Sequence, residues 1–177
     1  MKTKDELVNL IKEDQEEFNN YTEKHKDEGI DLTEVDISGT TFSDINFFNI
    51  DFSSTNFADS HLTDVKFENC DLTSSDFTRT TLTECTFFGS ILNGTDFSYS
   101  TVDFCNFNEA DMAGCVLQEA DLSNSDLSTS NNLTASRFDE GTVWPDIDML
   151  PEDFDGAYSS DLSSLKDDED DQSSQDY

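Results

Sequence analysis

An apolar residue stands at every fifth position over a long stretch of this chain: Leu32, Ile37, Phe42, Phe47, Phe52, Phe57, Leu62, Phe67, Leu72, Phe77, Leu82, Phe87, Leu92, Phe97, Val102, Phe107, Met112, Leu117, Leu122 and Leu127. Two residues before each lies a small or β-branched side chain, from Ile30 and Val35 through to Ala120 and Ser125, and all four cysteines fall in this slot. The position between the two is Asp in nine units and Asn in three. A stride of five fits neither the 3.6-residue helix nor the alternation of a long strand, so each unit is expected to be a short extended piece followed by a corner. The large residue fills an interior and the small one packs beside it. No such unit is stable alone; stacked units bury a continuous core.

The pattern breaks at Ser130. Leu133, Phe138 and Val143 continue at five-residue steps displaced by one position, which predicts a one-residue bulge near Asn131 and Asn132. RFDEGTVWP then reads as a terminal cap, with Trp144 over the open end and Pro145 stopping further coils. At the other end Thr3 and Glu6 have capping-box spacing. Leu7, Leu10, Ile11, Phe18 and Tyr21 fall on one side of a single helix expected from Lys4 to Lys24, placed to plug the first coil. The expected organisation is a capping helix over 1–29, a repeat domain over 30–145 and an acidic, flexible tail over 146–177. In that tail Phe154, Tyr158, Leu162 and Leu165 have helical spacing and are candidates for docking on the rod or on a partner.

ADLSN at 120–124 and SDLST at 125–129 are close copies of the unit A(D/N)LXX, and on these residues and the five-residue stride the chain resembles the pentapeptide repeat family over about residues 30–145. The resemblance implies an all-β solenoid, a right-handed quadrilateral β-helix with four units to a square coil. Five to six coils are expected here, with the N-terminal helix as cap and the acidic tail beyond. At a strand spacing of ~4.8 Å the rod would be roughly 26 Å long.

Charge sharpens this picture. The 177 residues include 41 acids and 9 bases, net −32, which argues against direct binding of nucleic acid or of an anionic membrane and for a cationic partner. Residues 31–138 alone hold 18 acids and three bases. No apolar run approaches a membrane span and the first residues are too charged for a signal peptide, so a cytoplasmic protein is expected.

Counting in twenties assigns acids to four faces. The first carries Asp31, Glu34, Asp51, Asp71 and Asp111; the second Asp36, Asp59, Asp76, Asp96 and Glu119, partly offset by Arg79; the third Asp44, Asp64, Glu84, Asp103 and Asp121. The fourth has only Glu68, Glu109 and Asp126, with Lys66. Half of the acids occupy the Asp/Asn slot, where a short polar side chain can satisfy corner backbone groups, and these are expected to be structural first. The near absence of Lys and Arg is not required by such a fold and serves either recognition or solubility. On the fourth face Phe48 and Phe88 take outward slots two coils apart, and Phe104 projects near the adjoining corner. Exposed aromatics on a polar rod point to contact with a partner, a second copy of the rod, or cover by the tail.

Catalytic chemistry is not indicated: no nucleophile stands beside a base, and no metal cluster or phosphate loop is present, so neither cofactor nor metal is expected. His25 and His61 read as surface residues, and Cys85 and Cys105, stacked on one face, as free thiols. Two functions remain. One is a rod that mimics duplex DNA and binds a basic DNA-binding protein; duplex DNA carries one charge per ~1.7 Å, about 15 over ~26 Å. The family resemblance adds that some members look like DNA and act on DNA gyrase, which makes a topoisomerase a candidate partner. The other is a structural adaptor binding through its aromatic face or tail.

Overall fold

A computed structural model of the protein describes residues 1–154. Residues 30–131 form a four-walled β-solenoid in which the paired residues run parallel and stand twenty positions apart. The regular strands are short: β1 (Ile30–Asp31), β2 (Thr41–Ser43), β3 (Asn46–Phe48), β4 (Ile50–Asp51), β5 (His61–Thr63), β6 (Lys66–Glu68), β7 (Thr81–Thr83) and β8 (Thr101–Asp103). Elsewhere single bridges continue the ladder, as in the column Asp31, Asp51, Asp71, Ile91, Asp111, Asn131. Main-chain bonds link successive coils throughout, such as Phe52 N–H to Asp71 O at 2.7 Å and Asn56 N–H to Val35 O at 2.9 Å.

The twenty large residues of the stride are all buried, five to a wall. The second and fourth walls carry two phenylalanine ladders: Phe57, Phe77 and Phe97 stack at 4.5 and 5.1 Å, and Phe67, Phe87 and Phe107 at 5.0 and 4.9 Å. Across the interior these ladders meet edge to face, Phe77 on Phe87 at 5.9 Å and 80°, the geometry aromatic quadrupoles favour. Buried hydroxyls of the small slot are satisfied by main-chain carbonyls, Thr55 donating to Leu32 O and Ser90 to Phe67 O at 2.7 Å each. This is why Ser and Thr alternate there with Ile, Val, Ala and Cys.

The small slot also selects the corner. From Phe42 onward, a corner followed by Ile45, Ile50, Val65, Cys70, Cys85 or Cys105 is preceded by a full three-residue strand. A corner followed by Ser, Thr or Ala closes instead with a turn bond to the central carbonyl, as Thr55 N–H to Phe52 O and Ala110 N–H to Phe107 O; Cys115 joins this second group. Ile and Val go with the open corner and Ser, Thr and Ala with the tight one, while Cys occurs with both. In both kinds the fifth residue of every unit from Glu34 to Glu119 has a left-handed backbone, with φ between 52° and 70°.

The N-terminal cap departs from the expected single helix. Two helices, α1 (Lys4–Glu13) and α2 (Gln15–Lys24), meet at Asp14, whose φ of −150° breaks the first. The Asp14 carboxylate accepts Glu17 N–H at 2.9 Å, so it ends one helix and caps the next. Leu7, Ile11, Phe18 and Tyr21 join the core, with Phe18 edge-on to Phe47 at 5.5 Å. Cap side chains complete the exposed edge of the first coil. Lys4 and Lys12 donate to Thr33 O and Asp36 O, each at 3.0 Å. The Gln15 amide donates to Thr41 O and accepts from Ser43 N–H, and the Asn19 amide donates to Asp44 O and accepts from Asn46 N–H. Each amide thereby stands in for a missing peptide group, which closes an edge that would otherwise pair with another chain.

At the C-terminal end the expected one-residue bulge is replaced by a progressive slip. Met112, Leu117, Leu122 and Leu127 donate to Asn131, Arg137, Val143 and Met149, separations of 19, 20, 21 and 22 residues. The last units are thus six residues long, accommodated by left-handed Asn132 and 3-10 turns at Leu133–Ala135 and Ile147–Met149. With six-residue units the inward slot passes from Val143, which is 47% exposed, to Trp144. Packing also continues past Pro145. Leu150 and Phe154 are buried, and Phe154 lies 4.7 Å from Trp144 and 6.1 Å from Phe138. Tyr158, Leu162 and Leu165 lie outside the described residues.

Candidate interaction surface

Most of the outward acids are of two physical kinds. All nine aspartates of the Asp/Asn slot accept the main-chain N–H two residues on: Asp31, Asp36, Asp51, Asp71, Asp76, Asp96, Asp111, Asp121 and Asp126. They fasten the corner that follows, the local bond that suits Asp and Asn to turns. Four of them, Asp31, Asp51, Asp71 and Asp111, stand in one column on the first wall, interrupted by Ile91, which is 41% exposed. Asp76 and Asp96 are neighbours on the second wall, with Asp36 two coils below Asp76.

Corner acids form the second kind. Glu34, Asp44, Asp59, Asp64, Glu84, Glu109 and Glu119 sit at exposed left-handed corners rather than on the flat walls to which counting in twenties assigns them. Asp44, Asp64 and Glu84 make a ridge of three carboxylates on successive coils, and Phe104 takes the same corner one coil later. Asp59 is different because Arg79, one coil on, binds it through two guanidinium nitrogens at 2.7 and 2.9 Å and lowers its carboxyl pKa. Asp103 belongs to neither kind; it ends strand β8 and accepts the Asn124 amide at 2.8 Å.

Two carboxylates are tied to the cap or to their own turn. Asp31 is lowered to about 2, first by the Lys4 ammonium at 2.7 Å and then by the Thr33 N–H. Asp36 is lowered by the Ser38 hydroxyl and N–H. The cysteines are free and buried. Burial pushes the Cys70 thiol up to about 12 and raises Cys115; Cys105 is raised by its hydrogen bond with Cys85 and by burial. Cys85, the partner of Cys105 in that bond, is lowered by it against its own burial; Cys70, Cys105 and Cys115 are core thiols short of thiolate character.

Phe48 and Phe88 are 43% and 39% exposed on the fourth wall, and Phe104 is 62% exposed at its corner. Phe48 borders a groove of about 370 Å³ where α2 meets that wall, lined also by Glu23, Lys26, Asn46, Phe47, Lys66 and Glu68. Stride counting found Phe48 but not this groove, which depends on where α2 docks. Among the described residues, no three His, Cys, Asp or Glu side chains are placed to hold a metal ion, and no helix is long and apolar enough to cross a membrane.

Similarity to known proteins follows the same stride. A family model for the pentapeptide repeat region matches residues 28–97, and one for eight copies of the pentapeptide repeat matches residues 90–128. Among solved structures, the pentapeptide repeat protein Rfr23 of the cyanobacterium Cyanothece 51142 is similar with a TM-score of 0.62 and 17% identity, over 71% of this chain and 97% of that one. HetL of Nostoc sp. strain PCC 7120, a pentapeptide repeat protein involved in heterocyst differentiation regulation, matches at 14% identity over 66% of this chain and 73% of that one, with a TM-score of 0.28. Full-length QnrB1, a plasmid-mediated fluoroquinolone resistance protein, matches at 17% identity over 70% and 89%, with a TM-score of 0.21. No protein among the curated sequences matches. Repeat stride, four-walled solenoid and family models agree, and the chain belongs to the pentapeptide repeat family.

Proposed function

We propose that this is a non-enzymatic interaction protein whose acidic rod mimics duplex DNA and occupies the nucleic-acid cleft of a basic DNA-binding protein, a topoisomerase such as DNA gyrase being one candidate. The observation that carries this reading is the composition of the left-handed corners. Acids of the Asp/Asn slot serve the fold, but a Glu at φ near +57° costs about 1–2 kcal/mol relative to a permissive residue. Nevertheless Glu34, Glu84, Glu109 and Glu119 occupy such corners, and Arg79 is the one base among the corners from Glu34 to Glu119. Negative charge is thus placed at exposed corners where, for the glutamates, the backbone gains nothing from it. A cationic cleft would release its counterions to such a surface and be drawn to it at long range.

The test is competition with duplex DNA for a basic DNA-binding protein, run at low and high salt. Competition should fall steeply as ionic strength rises. Replacing Asp44, Asp64 and Glu84 by Asn, Asn and Gln should weaken it about tenfold or more while the far-ultraviolet spectrum stays unchanged. Recovery of only neutral, non-DNA-binding partners from a pull-down would sink the mimic reading. It would leave the adaptor reading, which the exposure of Phe48, Phe88 and Phe104 supports; that reading fails in turn if replacing these three by Ser leaves every association intact.

A further inference from the structure

We propose that Cys85 and Cys105 form a paired oxidation site: hydrogen peroxide joins them in a disulfide that staples two successive coils behind the corner of Glu84 and Phe104, and a thiol reductant opens it again. The two thiols share one column of the small slot, which runs Ile45, Val65, Cys85, Cys105, Ser125. On one side of them Thr83 pairs with Asp103 and on the other Thr86 pairs with Asn106, both in parallel register, so the cysteines are held level on adjacent coils. Adjacent strands lie ~4.8 Å apart, inside the ~4.4–6.8 Å between Cα atoms that a disulfide spans. Both side chains point inward, 1% and 2% exposed, and they hydrogen-bond each other. The Cys85 N–H also reaches the Cys105 sulfur, just as the Cys105 N–H reaches Ser125 Oγ one coil on at 3.1 Å. The other two cysteines are placed differently. Cys70 lies between Ile50 and Ser90 in its column, and Cys115 follows Thr95.

The bond between the thiols gives them different roles. It favours the thiolate of Cys85 against burial and disfavours that of Cys105, so Cys85 is the nucleophile and Cys105 the resolving thiol. Peroxide is small enough to enter through local opening of the corner. The Cys85 sulfur attacks one peroxide oxygen, the O–O bond breaks, and the departing hydroxide leaves as water with the Cys85 proton, giving a sulfenic acid. The Cys105 sulfur then attacks the Cys85 sulfur, the S–O bond breaks, and the hydroxyl leaves with the Cys105 proton as a second water. Two thiols thus give up two protons and two electrons, and one peroxide becomes two waters. Level positions on parallel strands hold Cβ atoms about as far apart as the strands themselves, beyond the roughly 3.5–4.5 Å of a relaxed disulfide. The bond is therefore strained and easily reduced, which suits a reversible mark better than a permanent brace.

Peptide mapping by mass spectrometry tests this on the full folded chain, treated with graded hydrogen peroxide and then alkylated in denaturant. The expected product has lost two hydrogens, with the Cys85 and Cys105 peptides joined, Cys70 and Cys115 alkylated, and all four thiols recovered after dithiothreitol. Its far-ultraviolet spectrum should match that of the reduced chain. Cys105→Ser should stop at a Cys85 sulfenic acid that dimedone traps, and Cys85→Ser should leave Cys105 unmodified. Native chain treated with peroxide and dimedone together gives the same reading without a substitution: the adduct should fall on Cys85. Four free thiols at a dose that oxidises the exposed Met1 would overturn the proposal. So would a disulfide that includes Cys70 or Cys115, a Cys85–Cys105 bond that forms only in urea, or a dimedone adduct on Cys105 in place of Cys85.

Discussion

A single aspartate and a single glutamate on this rod do opposite things to the backbone that carries them. Asp76 accepts Thr78 N–H at 2.8 Å; Asp76→Ala leaves that donor without its acceptor and should cost about 1 kcal/mol, whereas Asp76→Asn, which keeps the oxygen, should cost much less. Glu109 sits at φ +60° in a turn closed by Ala110 N–H to Phe107 O. Glu109→Gly removes the strain of that corner and, after the added freedom of the unfolded chain, should stabilise by about 0.5–1 kcal/mol. Urea midpoints of the three variants check both signs, and a destabilised Glu109→Gly would mean that the corner glutamates are held by contacts of their own. The inward pairs and the turn role of the Asp/Asn slot were legible from the stride, because burial and local hydrogen bonding repeat with the unit. The left-handed fifth residue was not, since Glu, Arg, Tyr and Phe there give no sign of it; Gly39, Gly89, Gly94 and Gly114, with Asp44, Asn49, Asp59, Asp64 and Asn69 in the same slot, carried the available signal.

Among the elements, the two ends were harder to read than the middle. The stripe Leu7, Ile11, Phe18, Tyr21 marks a helical cap, but the break at Asp14 is an N-cap signal embedded in a continuous periodic run, and the amide contacts of Gln15 and Asn19 depend on tertiary docking. Removing those amides tests their role as peptide substitutes. Gln15→Met with Asn19→Leu should cost about 2 kcal/mol, expose the first coil edge to hydrogen exchange at Ser43 and Asn46, and promote association through that edge. Unchanged protection at both amides would show that water serves the edge equally well. The cap also carries a proton-linked contact. Asp31 titrates at about 2 against an ordinary 3.8, held down by Lys4 and Thr33. A depressed folded-state value means that the contact stabilises the fold above pH 3.8 and is lost as pH falls from there through about 2. Carboxyl titration of Asp31 by nuclear magnetic resonance should therefore give an unusually low midpoint, and Lys4→Met should move it back up, leaving the part due to Thr33. At the other end the six-residue units were hidden because Val143 kept the five-residue step while Trp144 took the inward place.

For the whole molecule, the interior stabilises and the exterior opposes. Main-chain ladders set the distance between coils, the phenylalanine stacks match it at 4.5–5.1 Å, and the same spacing brings carboxylates close in the columns Asp31, Asp51, Asp71; Asp76, Asp96; and Asp44, Asp64, Glu84. At ~5 Å in water one such pair repels by about 0.8 kcal/mol before screening. Among the described residues the rod's own ion pairing with a base is Arg79 with Asp59, so little offsets this. Raising salt from about 0.01 to 0.5 M shortens the screening length from ~30 Å to less than the ~8 Å of physiological salt. The protein should then gain about 2 kcal/mol of stability, less than the summed pair repulsion because the unfolded chain is also relieved of some repulsion. The measurement is the thermal midpoint in sodium chloride, with the triple substitution of Asp44, Asp64 and Glu84 by Asn, Asn and Gln as comparison. That variant should start higher at low salt and rise less. The acids most useful to a cationic partner are thereby predicted to be the ones that weaken the free rod, and a partner that neutralises them should raise its melting temperature. A midpoint that falls with salt would mean that attractive pairs dominate this surface, and both the repulsion argued here and the mimic built on it would have to be given up.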